Sequence, residues 1–108
     1  MNELSQRKCV PCRGDTPTLS AEAISEYIKV VPGWSFQGGV IDKTFFFKNF
    51  KQALIFFNKV AVLAEEEGHH PNMCIHDYKK VKLTLTTHVV YGLTENDFVM
   101  ATKINELE

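Results

Sequence analysis

Residues 65–73 read EEEGHHPNM and hold two of the chain's four histidines. His69 and His70 follow Gly68 and precede Pro71. A proline keeps the residue before it out of the α region, so the pair leaves the preceding segment on a stiff bend. Imidazole titrates near neutral pH, so imidazoles sharing one site can give and take protons in one reaction. A third histidine, His88, ends the alternating stretch KKVKLTLTTH, and the fourth, His76, lies between the two groups.

Hairpin arithmetic decides which of them can meet. A strand over about 73–78 and another over about 81–88 are joined by a tight turn within 77–80. Paired residues of an antiparallel hairpin have a constant sum of numbers. The turns that fit set His88 opposite His69, His70 or Pro71, and leave His76 near the turn. The residues alone leave three uses open for His69, His70 and His88: acid–base catalysis, a zinc site, or structure. A histidine pair at a helix end favours the helix dipole, and a lone histidine on a polar strand face is an ordinary structural residue. Two carboxylates are candidates to join them. Glu65 sits one turn before His69, although such a residue is most often solvated. Asp97 closes Thr94-x-x-Asp97, close to a capping box with Asp where Glu or Gln is usual.

The elements that must carry these residues follow from periodicity. A helix is expected over about 20–31, capped by Ser20 and ended by Pro32-Gly33. A strand over 34–37, a turn at Gly38-Gly39 and a strand over 40–48 come next, with Phe45 and Phe47 on one face and Phe46 on the other. A second helix, about 49–66, starts at Asn49 and carries two apolar stripes. Phe50, Leu54, Phe57, Ala61 and Ala64 are expected on the sheet. Phe56, Val60 and Leu63 form the second stripe, read either as part of a broad core-facing arc or as a face for a partner chain. A third helix begins at Thr94 and turns Phe98, Ala101, Ile104 and Leu107 inward. The order α-β-β-α-β-β-α predicts an α+β fold, a four-stranded antiparallel sheet with helices packed on one face.

Composition narrows the class. The 108 residues suit one domain, here 19–108 behind an arm of residues 1–18, and 44% hydrophobic residues is an ordinary globular content. A net charge of −1 argues against nucleic acid as a partner. No apolar run nears the ~20 residues of a membrane span, and MNELSQRKCV lacks a signal-peptide core, so a cytoplasmic protein without membrane contact is expected. Three cysteines, Cys9, Cys12 and Cys74, do not suggest a disulfide framework. Cys9 and Cys12 form a CxxC among the loop signals Pro11, Gly14, Asp15 and Pro17. With no second CxxC in the chain, the arm reads as functionally inert rather than as a metal site.

The ordered set FFFKNFKQALIFFNKVAVLAEEEGHHP, YKKVKLTLTTH and GLTENDFVMA resembles the pterin-4a-carbinolamine dehydratases, particularly the bacterial type. The resemblance covers about residue 19 onward. It implies dehydration of 4a-hydroxytetrahydropterin to quinonoid dihydropterin, recycling the cofactor of an aromatic amino acid hydroxylase, with no metal or organic cofactor. It assigns catalysis to His69, His70 and His88, and pterin contacts to Pro71, Thr87 and Val89, with Glu65 and Asp97 also at the site. It further implies a homodimer or homotetramer. Animal members also act as dimerisation cofactors of a transcription factor, so a protein-binding or regulatory role is the alternative. Val89, Val90 and Tyr91 depart from the small or polar residues usual before Gly92.

Overall fold

The computed structural model describes residues 3–10 and 16–108. Cys12 and the loop signals Pro11, Gly14 and Asp15 lie outside the described residues. The main elements are α1 (Ala21–Ile28), β1 (Ser35–Gln37), β2 (Val40–Phe46), α2 (Phe50–Glu67), β3 (Asn72–His76), β4 (Lys80–Leu85) and α3 (Glu95–Leu107). Short 3-10 turns occupy Glu3–Gln6 and His88–Val90. The order is the expected one, and the four strands form one antiparallel sheet in the order β1-β2-β4-β3.

Local chemistry sets the boundaries. The Ser20 hydroxyl accepts from the Ala23 amide, and the Asn49 side chain accepts from the Gln52 amide, each satisfying an orphan donor of a first helical turn. Gly38 and Gly39 both have positive φ and close the β1–β2 hairpin, as a two-residue turn between right-twisted strands requires. Ile41, Phe45, Val81, Leu83 and Leu85 point from β2 and β4 into one core under the helices. Phe46 faces the other way and is exposed. Phe45 meets Phe56 at 4.7 Å between ring centroids, and Phe47 meets Phe56 at 5.0 Å.

Those ring contacts correct the reading of α2. The residues buried against the sheet are Ala53, Phe56, Val60 and Ala64, while Phe50 and Leu54 are exposed. The stripe of Phe56 and Val60, weighed as a partner face, is the core-facing one. Counting apolar residues at helical spacing could not choose between the arcs. Two small residues, Ala53 and Ala64, let this side approach the sheet closely, and Phe56 fills the space between Phe45 and Phe47. The apolar residues left outside on the opposite flank are Ile55 and Val62.

The β3–β4 hairpin also differs from expectation. Its pairs run from Asn72 with Thr84 to His76 with Lys80, so the loop is Asp77–Tyr78–Lys79, one position before the expected turns. Asp77 and Tyr78 both have left-handed φ, and the Asp77 carboxylate reaches the Lys80 ammonium at 3.2 Å and His76 Nδ1 at 3.4 Å. No Asn-Gly signal announces this turn; an aspartate bonding locally replaces it. Strand β4 also stops at Leu85, three residues short of His88. Thr87 pairs instead with Gly92, its amide donating to the Gly92 carbonyl at 2.9 Å, and residues 88–90 form a turn between them. His88 therefore stands on that turn and not on the ladder.

The described part of the N-terminal arm is not loose. Leu4 is 3% exposed and belongs to the core. Its 3-10 turn packs on α3, where Val99, Met100 and Thr102 are buried alongside the expected Phe98, Ala101 and Ile104.

A pair of substitutions tests the phase of α2. Phe56→Ala should cost about 3–5 kcal/mol, the range for truncating a buried aromatic. Leu54→Ala should cost less than about 1 kcal/mol, as at an exposed site. Urea unfolding of both variants measures the difference, and equal costs would contradict the buried arc.

Candidate active site

Helix α2 ends where the histidines begin. Gly68 takes the left-handed conformation, φ 66°, and its amide returns to the Ala64 carbonyl at 2.9 Å. The His69 amide shares the same carbonyl at 3.3 Å. Such a terminus favours glycine, since a Cβ is disfavoured at positive φ. Pro71, buried, then commits the chain to β3. The two imidazoles thus leave the helix at consecutive positions into different surroundings.

His69 turns inward. Its Nε2 lies 2.7 Å from Oδ1 of Asp97, whose side chain is wholly buried, while the ring itself is 12% exposed. The other oxygen of Asp97 accepts from the Thr94 amide and from the Thr87 hydroxyl, each at 2.9 Å. The first of these bonds belongs to the expected capping box at the start of α3. The Thr87 hydroxyl is also 2.9 Å from that of Thr94. An ionised Asp97 accepts the Nε2 proton of His69, which leaves Nδ1 as the basic nitrogen of the neutral ring. A carboxylate so placed fixes the tautomer and stabilises the imidazolium formed when the ring takes a proton.

His70 turns outward. Its Nε2 lies 2.5 Å from Oε2 of Glu65, and both side chains are largely exposed, so the pair is held less firmly. His88 and Val89 are exposed on the turn that follows Thr87. Their backbone is therefore anchored one and two residues from the Asp97 cluster. His76 ends β3 beside the Asp77 turn, as expected. Of the residues singled out from sequence, His69, Thr87 and Asp97 form one connected set, and Glu65 and His70 a second. Among the described residues, no three His, Cys, Asp or Glu side chains are grouped as a metal site.

Three residues beside this set were not assigned to the site from sequence: Glu67, Asn96 and Cys9, the last read there as part of an inert arm. Glu67, the last residue of α2, has a side chain only 4% exposed, which accepts from the Lys103 ammonium at 2.9 Å and the Cys9 amide at 2.8 Å. Burial alone would raise its pKa, but the Cys9 N–H and the Lys103 charge outweigh it and hold the carboxyl below its ordinary value. Asn96, next to Asp97, accepts from the Val10 amide at 3.0 Å and donates to the Val10 carbonyl at 2.6 Å. The Cys9 thiol contacts the Asn96 carbonyl at 3.7 Å and is pushed up to about 12, first by burial and then by the Glu67 carboxylate. A triple-glutamate run reads as a solvated helix end, so nothing local marks Glu67 as buried.

The family model described as Pterin 4 alpha carbinolamine dehydratase matches residues 17–107. A relative from Rubrobacter xylanophilus, provisionally named for that dehydratase, is 41% identical, covering 99% of this chain and all of its own. A relative from Alkaliphilus metalliredigens with the same provisional name is 44% identical, covering 98% of this chain and 96% of its own. A crystal structure from Brucella melitensis, described as a transcriptional coactivator/pterin dehydratase, superposes with a TM-score of 0.79 at 33% identity, covering 84% of this chain and 98% of that one. A pterin dehydratase-like protein identified as a RuBisCO assembly factor in the alpha-carboxysome gives a TM-score of 0.57 at 27% identity, covering 68% of this chain and 84% of that one.

The Glu67 environment makes an acid-stability prediction. A carboxyl depressed on folding contributes stability that is whole above its unfolded pKa, ordinarily 4.5, and is lost as pH falls through the lower folded value. The parent should therefore lose stability over that window, and Glu67→Gln should show a shallower loss there in urea midpoints measured against pH. Parallel curves would contradict the placement of Glu67.

Proposed function

The chain belongs to the pterin-4a-carbinolamine dehydratase family, a family of hydro-lyases, and from that premise we propose that it dehydrates a 4a-hydroxytetrahydropterin by histidine acid–base catalysis. The reaction breaks the bond from C4a to its hydroxyl oxygen, which leaves as water after receiving a proton. N5 gives up its proton, and that electron pair forms the C4a–N5 double bond of the quinonoid dihydropterin. Atoms and charge balance with no oxidant, hydride donor or metal. Two protons move at adjacent ring atoms, which suits imidazoles and needs no covalent intermediate.

The observation that carries the proposal is the His69–Asp97 pair, with the carboxylate fully buried and held by Thr94 and Thr87. It gives His69 one orientation and supports the cationic ring that exists after it accepts a proton. His69 then takes the N5 proton, and His88 and His70 serve the hydroxyl side. Pro71, Thr87 and Val89 border the pterin, and Glu65 steadies His70. The quinonoid product regains the tetrahydro state only after a separate two-electron reduction, so the chain supplies one step in recycling the cofactor of an aromatic amino acid hydroxylase.

The proposal includes a homo-oligomer. Lys51, Ile55, Lys59, Val62 and Glu66 share the exposed flank of α2, which borders a cleft of about 550 Å³. Two copies laid antiparallel with Ile55 against Val62 also set Lys51 against Glu66, a self-complementary arrangement. The same flank supports the second reading, a protein-binding role of the kind named for the carboxysome relative.

A direct assay with synthetic 4a-hydroxytetrahydropterin tests the activity. His69→Ala and His88→Ala should each lower kcat/KM about 100-fold or more. His70→Ala should also lose activity, mainly through KM, and His76→Ala should stay within about severalfold of the parent, as its acid–base group is not used. Equal damage in folded His76→Ala and His88→Ala would overturn the assignment. Light scattering should give a dimer or tetramer that Val62→Glu dissociates; a monomeric parent at micromolar concentration would remove the oligomer.

A further inference from the structure

The arm that precedes the family-matched core touches both elements that carry the His69–Asp97 pair. On one side the Cys9 amide binds Glu67, two residues before His69. On the other, Val10 makes a two-way backbone pairing with the Asn96 side chain, one residue before Asp97. Arg7 forms an ion pair with Glu95, whose second oxygen accepts from the Tyr27 hydroxyl at 3.3 Å. Leu4 anchors the near end of the arm in the core. Two successive arm residues therefore bridge the last turn of α2 to the first turn of α3.

This bridge has a physical use. The His69–Asp97 bond joins two helix termini, and the Lys103–Glu67 ion pair joins the same two helices beside it. A proton-transfer pair works only within a few tenths of an ångström of its productive geometry. Glu67 is firmly held for a helix end, because its carboxylate takes donors from both the arm and Lys103. Asn96 is 5% exposed and uses both ends of its amide on the arm. Neither residue needs this much bonding merely to end one helix or begin another.

We propose that residues 3–10 act as a strap across the α2 and α3 termini, and that Glu67 and Asn96 are positioning residues that set the His69–Asp97 geometry for the dehydration. The proposal rests on the dehydratase reading for its catalytic consequence. Its structural half stands apart from that reading, because the ring N–H of His69 held by Asp97 can be observed directly.

The test uses the full chain, labelled with ¹⁵N. In the parent, the His69 ring N–H should appear as a slowly exchanging resonance. Glu67→Ala and Asn96→Ala should broaden or lose it and lower kcat about tenfold or more, with KM within about twofold. Glu67→Gln, which still accepts from the Cys9 amide, should recover the resonance and most of kcat. Phe56→Leu, which loosens the core in the first half of α2, about three turns from Glu67, should lose stability yet keep the resonance. Folded Glu67→Ala and Asn96→Ala with parental resonance and kcat would overturn the strap. So would loss of the resonance in Phe56→Leu, since it would then report general loosening. A parent inactive on the pterin would defeat the dehydratase reading alone, and the resonances would still decide the strap.

Discussion

A carboxylate removed from water must be fully bonded, and Asp97 imposes that condition on three parts of the chain. Its oxygens take the Thr94 amide at the start of α3, the Thr87 hydroxyl after β4, and the His69 ring after α2. Losing any one donor leaves part of a buried charge unsatisfied, at a cost of about 1–3 kcal/mol. The capping role and the proposed catalytic role are therefore two aspects of one set of bonds. The helix start fixes the carboxylate, and the carboxylate fixes the imidazole.

The surrounding fold serves this condition. Gly68 turns α2 off at a defined residue, and Pro71 sends the chain directly into β3. His69 has only that short span in which to turn toward α3, while His70, one residue later, is turned outward to Glu65. Two identical side chains thus acquire different surroundings: a buried carboxyl group for one and a solvated one for the other. The Thr87–Gly92 bridge does the same for His88, lifting it off the strand onto a turn tied to the cluster through Thr87.

Much of this was legible in the sequence, for identifiable reasons. Element order and type came from strong periodicities and explicit punctuation, as at Ser20, Gly38-Gly39, Asn49 and Pro71. The Thr94–Asp97 box was readable because its spacing is local. What failed depended on contacts between elements. The buried arc of α2 was chosen by Phe45 and Phe47, which lie on another element. The β3–β4 register turned on one aspartate bonding its neighbours, and a shift of one position moved the predicted partner of His88. Glu67 and Asn96 looked like ordinary polar residues because the group that buries them, the arm, is more than 50 residues away along the chain.

The strand order carries a consequence for synthesis. Because β4 lies between β2 and β3, strand β2, already paired with β1, must wait through the whole of α2 and β3 before its second neighbour exists. Pairings of such sequence separation form late, after a costly loop closure. On the ribosome, His69 and His70 emerge before Thr87, and Thr87 before Asp97. The imidazoles are present early, but the acceptor that gives His69 its orientation arrives with the last helix. A nascent chain interrupted between residues 88 and 97 carries every histidine but lacks the carboxylate that orients His69.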